Sequence, residues 1–123
     1  MAVELRAVRG ATTLDEDTED QVRERVGALV TAILARNGRG PEDLVSAIFS
    51  ATEDVTAAYP ATAARALPGF ADVPLLGCRE MAVVGAVPRC IRVLVHCYTE
   101  RARGEIQHVY LEGAESLRPD LVS

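Results

Sequence analysis

The stretch Cys90-Ile-Arg-Val-Leu-Val-His-Cys-Tyr98 is the clearest β-strand signal in this chain. β-Branched and aliphatic residues fill it, and residues of this kind are enriched in strands. Side chains alternate between the two faces of a strand, so its two faces differ. One face carries Ile91, Val93, Val95 and Cys97. The other face carries Arg92, Leu94, His96 and Tyr98. A charged residue such as Arg92 inside an apolar strand needs a polar partner.

Upstream of this strand, the chain alternates between strand and helix signals. Residues 3–10 alternate apolar and polar side chains and predict a first strand that ends at Gly10, with Arg9 at its exit. Residues 15–20 are mostly acidic, which suits a helix N-terminus, and apolar residues then recur at helical spacing up to Asn37-Gly38. Residues 44–50 predict a second strand. Residues 61–67, introduced by Pro60, predict a short helix.

Two further strands complete the pattern. We expect a short strand over residues 73–76 and a last strand over residues 106–112, after a turn at residues 103–105. The order β-α-β-α-β-β-β is typical of an α+β domain with a mixed β-sheet, one long helix and one short helix. The length of 123 residues predicts a single domain spanning residues 1–123.

The charge composition excludes several functions. The net charge is −5, and all 13 basic residues are arginine. An acidic chain lacks the basic surface that neutralises phosphates, so we expect no nucleic-acid partner and no acidic membrane surface. The absence of lysine excludes Schiff-base catalysis and a Walker-type phosphate loop.

Cysteine usage and hydropathy bear on the compartment. The chain has an odd number of cysteines, namely Cys78, Cys90 and Cys97, and none of them has CxxC spacing. Neither a disulfide framework nor a zinc site is therefore indicated. The first ten residues carry charges, and the longest nearly apolar run, residues 81–88, is too short to span a bilayer. We therefore expect a soluble, cytoplasmic protein.

Familiar catalytic motifs are absent from the sequence. There is no GxSxG, no GxGxxG and only two histidines, so hydrolase, dinucleotide and metal functions are weakly indicated, and we expect no cofactor. The remaining candidates are Arg9, Arg65, Arg92, Glu80 and Tyr110, a set that suits a small anionic ligand because guanidinium groups bind carboxylates in a bidentate way. Nine other arginines are predicted to be solvated or weakly paired surface groups. They are Arg6, Arg23, Arg25, Arg36, Arg39, Arg79, Arg89, Arg101 and Arg103.

Seven stretches, in their order and spacing, resemble one known family. They are Val8-Arg-Gly-Ala-Thr-Thr13, Ser50-Ala-Thr-Glu-Asp54, Tyr59-Pro-Ala61 with Arg65, Val73-Pro74 with Arg79-Glu-Met81, Cys90-Ile-Arg-Val93, His108-Val-Tyr-Leu-Glu112 and Leu117-Arg-Pro-Asp-Leu121. Together they resemble the monofunctional bacterial chorismate mutases of the trimeric pseudo-α/β-barrel class, the Bacillus type. The resemblance covers nearly the whole chain. It implies the Bacillus-type fold, a homotrimer with active sites between subunits, and a reaction without metal or organic cofactor.

The activity that the resemblance implies is the [3,3]-sigmatropic (Claisen) rearrangement of chorismate to prephenate, in phenylalanine and tyrosine biosynthesis. By the same resemblance, Arg92 donates to the ether oxygen and to a carboxylate of the substrate. Glu80 accepts a hydrogen bond from the ring hydroxyl. Arg9 and Tyr110 bind the carboxylate of the enolpyruvyl side chain.

Other positions that match the family surround this set. The resemblance implies that Tyr59 and Arg65 reach the site from the neighbouring subunit. Leu117 and Arg118 match the C-terminal segment that closes over the pocket.

Two positions depart from the Bacillus-type pattern. Gly77 stands where that type has a cysteine, so contact with substrate there must come from the backbone. Thr62 stands where some relatives have a lysine, which makes Arg65 more important for attracting the dianionic substrate.

Two other functions stay open from the sequence. One is a trimeric enamine/imine deaminase of similar architecture, which also uses an interfacial arginine for a substrate carboxylate. The other is a non-catalytic carboxylate-binding module that keeps the arginines without turnover.

Overall fold

The fold consists of five strands and two α-helices, in a computed structural model that describes residues 2–118. In chain order the elements are β1 (Glu4–Thr13), α1 (Glu19–Arg36), β2 (Leu44–Ala51), α2 (Pro60–Arg65), β3 (Leu75–Arg79), β4 (Cys90–Thr99) and β5 (Val109–Tyr110). Three 3₁₀ helices lie at Pro41–Asp43, Arg103–Glu105 and Glu112–Leu117. The last of these is called the C-terminal 3₁₀ helix below. The predicted order of strands and helices is confirmed.

The strands form one mixed sheet in the order β3-β2-β4-β1-β5. β4 pairs antiparallel with both β1 and β2, whereas β1–β5 and β2–β3 are parallel pairs. The prediction of an α+β fold with a mixed sheet is confirmed. β4, the strand with the clearest sequence signal, lies at the centre of the sheet.

One face of the sheet packs against the helices and forms the main core. Val8, Phe49 and Val93 on this face are buried, together with the apolar side of α1. The helix approaches β1 closely at Gly10, where a Cβ atom would lie 2.7 Å from Cδ1 of Ile33. A glycine at this position therefore lets α1 lie directly on the strand.

The opposite face of the sheet carries several exposed apolar side chains. The alternation predicted for β4 is confirmed, since Ile91, Val93, Val95 and Cys97 are buried while Arg92 and Tyr98 are exposed. The exposed apolar residues of this outer face include Leu5, Ile48, Leu76 and Tyr98.

α1 begins after an N-cap at Thr18, whose hydroxyl accepts a backbone N–H from the first turn at 3.2 Å. It ends at Arg36, with Asn37 as its C-cap, as the Asn37-Gly38 pair predicts. The predicted acidic start is confirmed in part. Glu19 and Asp20 lie in the first turn, whereas Asp17 accepts hydrogen bonds from the loop at residues 56–57.

β1 is longer than predicted. It continues three residues past Gly10, because Thr13 still pairs with Cys90 of β4. Arg9 therefore lies in the middle of the strand, not at its exit.

β3 begins at Leu75 and ends at Arg79, so the predicted range of residues 73–76 is wrong at both ends. Pro74 has no N–H to give to a ladder. Its carbonyl accepts the N–H of Ala47 at 3.0 Å, just before the β2–β3 pairing begins.

β5 contains only Val109 and Tyr110 and not the predicted residues 106–112. Before β5, the backbone N–H of Arg9 donates to the side chain of His108. This N–H is therefore not available to a backbone carbonyl of the preceding residues, and the β1–β5 pairing does not extend further. After it, Glu112 has φ of +53° and turns the chain into the C-terminal 3₁₀ helix.

Several of the nine arginines predicted as surface groups hold parts of the fold together. Arg25 pairs with Asp15 at 2.7 Å, and its side chain is only 12% exposed. Arg89 Nε donates to a carbonyl that follows β1, at 3.0 Å, and Arg101 donates to a carbonyl at the end of α1, at 2.8 Å. Guanidinium groups suit this role because they offer five donors.

Candidate active site

A row of paired residues crosses the outer face of the sheet. From β3 to β5 its members are Cys78, Ser50, Arg92, Ala11 and Tyr110, each in register with the next. Residues in register on neighbouring strands project to the same face. The pairing therefore aligns Arg92 and Tyr110, which are 18 positions apart in sequence, on one face with a single alanine between them.

Glu80 lies beside Arg92, one residue after β3. Its N–H donates to the carbonyl of Ala51 at 2.8 Å, which extends the β2–β3 pairing and fixes its backbone. Its Oε2 atom accepts the Ser50 hydroxyl at 2.7 Å and lies 3.4 Å from Nε of Arg92. The Arg92 side chain is 47% exposed, as the alternation along β4 predicts. Glu80 is the polar partner that a charged residue in an apolar strand needs.

Tyr110 lies in a small second core on this same outer face. It is buried with Ala11, Cys90 and Ala114, and Leu117 packs against them. This core seats the C-terminal 3₁₀ helix on the sheet next to Arg92. Leu117 is thereby placed beside the row.

A hydroxyl on β1 also holds the C-terminal 3₁₀ helix. Thr13 Oγ1 accepts the backbone N–H of Gly113 at 2.9 Å. The position of Tyr110 and Leu117 thus depends on β1 and not only on the two-residue strand β5.

Cys90 has no role as a nucleophile in this arrangement. Burial raises the pKa of its thiol, an effect that the nearby Arg92 guanidinium opposes. Burial likewise raises the pKa of Cys97. Both cysteines remain thiols at neutral pH and pack as small apolar groups.

Arg9 lies on the outer face of β1, two residues before Ala11. Its backbone N–H donates to Nδ1 of His108 at 3.0 Å, so the ring must be neutral with its proton on Nε2. Burial lowers the pKa of His108, and the charges of Arg9 and Arg118 lower it further. The charges of Arg9 and Arg118 therefore both act on the imidazole of His108.

The remaining predicted residues lie on the other side of the sheet. A cavity of about 1260 Å³ opens between α2, the end of β2 and β3, and Tyr59 and Gly77 line it. Gly77 pairs with the core residue Phe49, so it belongs to the helix-covered face and not to the face of Arg92. Tyr59 is 79% exposed. Neither residue belongs to the row that contains Arg92, although Ser50 and Cys78 of that row also line the cavity.

Arg65 is the last residue of α2 and is exposed, but it does not line this cavity. Thr62 does line it, and so does Arg79, which forms an ion pair with Glu53. The cations that line this cavity are therefore Arg23 and Arg79, both of which sequence reasoning assigned to the solvated surface.

Sequence reasoning also missed Ser50 and His108 as partners of the site. Ser50 holds Glu80, and His108 holds the backbone of Arg9. Both lie in stretches that carried the family resemblance, but neither bond can be read from spacing along the chain.

Residues 2–118 contain neither a candidate metal cluster nor a candidate membrane-spanning helix. No group of three or more His, Cys, Asp or Glu side chains in this part of the chain is arranged to hold a metal ion. None of its helices combines the length and apolar character needed to cross a membrane.

Comparison with known proteins gives a consistent family. Residues 5–121 match the family model described as chorismate mutase type I. Two relatives named chorismate mutase AroH are similar: the Bacillus subtilis (strain 168) protein is 42% identical over 117 residues, covering 95% of this chain and 92% of the relative, and the Thermus thermophilus protein is 44% identical over 120 residues, covering 97% and 98%. A solved structure of a chorismate mutase from Clostridium thermocellum superposes with a TM-score of 0.86 at 38% identity, covering 89% of this chain and 97% of that one.

Proposed function

The chain belongs to the chorismate mutase type I family, and from this premise we propose that it rearranges chorismate to prephenate at the row that contains Arg92. It is an isomerase. The observation that carries the proposed location is the placement of Arg92, Glu80 and Tyr110 on one face of the sheet.

The reaction makes simple demands on the protein. In one concerted step the ether C–O bond breaks while a C–C bond forms, and no proton or electron is exchanged with the enzyme. The protein must hold a compact conformer of a dicarboxylate and stabilise the negative charge that develops on the ether oxygen. Rigid cationic donors meet both demands.

Arg92 is the donor to the ether oxygen in this proposal. Its strand fixes the backbone, and Glu80 holds the guanidinium by its Nε edge at 3.4 Å. A donor that is oriented before substrate arrives costs no reorganisation during the reaction, which is the condition for electrostatic stabilisation. The terminal nitrogens are the part of the fork that reaches the substrate oxygen and a carboxylate.

Arg9 and Tyr110 bind the enolpyruvyl carboxylate. Arg9 projects from the outer face of β1, and Tyr110 lies one strand away beside Ala11. A guanidinium and a phenol both donate hydrogen bonds to a carboxylate. On the other side of Arg92, the Glu80 carboxylate accepts a hydrogen bond from the ring hydroxyl.

The active unit is a homotrimer with each site between two subunits. The outer face of the sheet leaves Leu5, Ile48, Leu76 and Tyr98 exposed in the single chain, and an exposed apolar surface of this kind suits an interface. The split of the predicted residues over two faces has the same explanation. A neighbouring subunit supplies its Tyr59 and Arg65 to this site.

The last residue of the C-terminal 3₁₀ helix and the residue that follows it complete the pocket. Leu117 and Arg118 close over the substrate from beside Tyr110. The backbone at Gly77 contributes where the Bacillus type has a cysteine side chain. The last residues of the matching stretch, 119–121, lie outside the described residues.

We further propose that residues 1–123 act as one domain in the cytoplasm, without nucleic-acid or membrane partners. The net charge of −5 supports the absence of a polyanionic partner.

The competing functions are less well supported. The family match and both relatives name a chorismate mutase and not an enamine/imine deaminase. If the protein were a non-catalytic binding module, chorismate would bind to it and be recovered unchanged.

The test is direct. Purified protein is expected to convert chorismate to prephenate. The consumption of chorismate is measured as the loss of chorismate absorbance, and prephenate is identified by chromatography. Folded, trimeric protein that returns chorismate unchanged would overturn the proposal.

The shared site has its own test. Arg92→Ala and Arg65→Ala chains each lack one half of the site and should have low activity alone. Unfolded together and refolded as mixed trimers, they should regain part of the turnover, because some interfaces then combine two intact halves. The same mixing with Arg103→Ala, an exposed arginine outside the site, is the control for refolding losses.

A further inference from the structure

We infer that Ser50 is a positioning residue for this reaction, which holds the Glu80 carboxylate in the orientation that serves both Arg92 and the substrate hydroxyl. This inference rests on the proposed function. Ser50 does not itself touch the reacting atoms, and its effect passes through Glu80.

The register of three strands places Ser50 at this point. Ser50 pairs with Arg92 on β4 and with Cys78 on β3, so it stands between the cation and the strand from which Glu80 follows. The backbone of Glu80 is fixed by its bond to the Ala51 carbonyl, 2.8 Å long. That bond fixes the position of the Glu80 backbone but leaves the side-chain torsion angles of Glu80 free.

The Ser50 hydroxyl sets those torsions. It donates to Oε2 of Glu80 at 2.7 Å, and this same oxygen faces Nε of Arg92 at 3.4 Å. Because both contacts use Oε2, the other oxygen, Oε1, is the one available to accept the substrate hydroxyl. A short hydrogen bond to a carboxylate is among the stronger hydrogen bonds in proteins.

Without the serine hydroxyl, the carboxylate is free to turn towards Arg92. Carboxylate and guanidinium groups pair readily in a bidentate way, and the Glu80 side chain is only 31% exposed, which limits competition from water. A bidentate pair would engage one terminal nitrogen of Arg92 as well as Nε, which leaves fewer donors for the ether oxygen. The loss should appear in kcat more than in KM, because Arg9 and Tyr110 still bind the substrate carboxylate.

The experiment compares Ser50→Ala with a matched control, Ser46→Ala. Ser46 lies on the same strand and the same face, and its hydroxyl contacts His96 Nδ1 at 3.3 Å, outside the site. Ser50→Ala should lower kcat about tenfold with KM changed less than about twofold, as expected for loss of one bond to a charged group. Ser50→Thr, which keeps the hydroxyl, should recover most of kcat, and Ser46→Ala should match the unmodified protein.

Two further measurements separate positioning from a general structural effect. In a Glu80→Gln background, Ser50→Ala should add little, because the group that it positions has already been replaced. A crystal structure of Ser50→Ala should show the Glu80 carboxylate turned onto the Arg92 guanidinium. Equal kcat for Ser50→Ala and Ser46→Ala, or a further tenfold loss in the Glu80→Gln background, would overturn the inference. No turnover by the unmodified protein would instead count against the proposed function.

Discussion

The Nε atom of Arg92 lies 3.4 Å from Oε2 of Glu80, so the cation that faces the substrate is held at one edge by a carboxylate of the same chain. The two residues reach each other across β2, which separates their strands in the sheet. Glu80 thus orients the Arg92 side chain, and the remaining guanidinium nitrogens are available to the ligand.

Replacement of Arg92 tests its role directly. Arg92→Ala should lower kcat by about 10²–10³, the usual cost of removing one preorganised donor to a developing oxyanion. Arg92→Lys should also be poor, because the planar fork is lost. The measurement is chorismate consumption under saturating substrate, with the exposed Arg103→Ala as control. Near-normal kcat for Arg92→Ala would show that another group stabilises the ether oxygen.

A charge on the outer face of the sheet should break the trimer. Ile48→Glu places a carboxylate among the exposed apolar residues of this face, so light scattering at micromolar concentration should detect monomers. Turnover should be lost with the trimer, since the two half-sites separate. Ala28→Glu, on the exposed side of α1, should stay trimeric and active. An active, trimeric Ile48→Glu protein would remove this face from the interface.

Gly10→Ala should destabilise the fold by overpacking. The new Cβ would meet Cδ1 of Ile33 at 2.7 Å and a side-chain carbon of Val93 at 3.2 Å. We expect a loss of about 1–3 kcal/mol in the free energy of unfolding, measured by urea denaturation at fixed protein concentration. Adding Ile33→Val removes the closest atom and should restore part of this loss. If the double variant is no more stable than Gly10→Ala alone, the helix contact is not the cause.

Thr12→Val should make the protein more stable. Thr12 is fully buried, and within residues 2–118 its Oγ1 has no hydrogen-bond partner. Valine has nearly the same shape without the polar atom, so the free energy of unfolding should rise by about 1 kcal/mol. The same denaturation measurement checks it. A fall in stability would mean that the hydroxyl is satisfied by a buried water.

His108 should make stability depend on pH in the mildly acidic range. Its pKa in the folded protein is below 6.5 because of burial and the charges of Arg9 and Arg118. As the pH falls, the unfolded chain therefore binds this proton before the folded protein does. The contribution of His108 to the free energy of unfolding is complete above about pH 6.5, and it is lost as the pH falls from there through the lowered pKa of the folded protein. Asp17 and Asp54, whose pKa values are lowered from 3.8 by hydrogen bonds that outweigh their burial, lose their contributions only below about pH 3.8.

The variant His108→Asn isolates this effect. Asparagine can still accept the Arg9 N–H but does not titrate, so the fall in unfolding free energy between pH 7 and pH 5 should become shallower. An unchanged slope would assign the pH dependence to other groups.

Much of the fold was predictable because its signals are local. The alternation of residues 90–98 gave the two faces of β4 correctly, and the Asn37-Gly38 pair gave the end of α1. The errors lie where distant contacts decide. β5 stops short because a histidine side chain replaces a ladder partner of Arg9, and no pattern within residues 106–112 carries that information.

The site was predictable mainly through the family resemblance. Spacing alone does not bring Glu80 to Arg92, because their meeting depends on how three strands are registered. Parity along β3 does hold one clue. Gly77 and Glu80 are three positions apart, an odd number, so a side chain at position 77 would project to the face opposite Glu80, and a contact with the substrate at Gly77 must use the backbone.

The way in which the C-terminal 3₁₀ helix is attached links the binding of substrate to the local stability of residues 109–117. The segment that carries Tyr110 and Leu117 is attached by a two-residue strand and by the hydroxyl of Thr13, far fewer bonds than hold β4. Segments with few such bonds open locally at a lower free-energy cost than the sheet. A substrate that touches both side chains must suppress that opening, so amide exchange in residues 109–117 becomes a gauge of how full the pocket is.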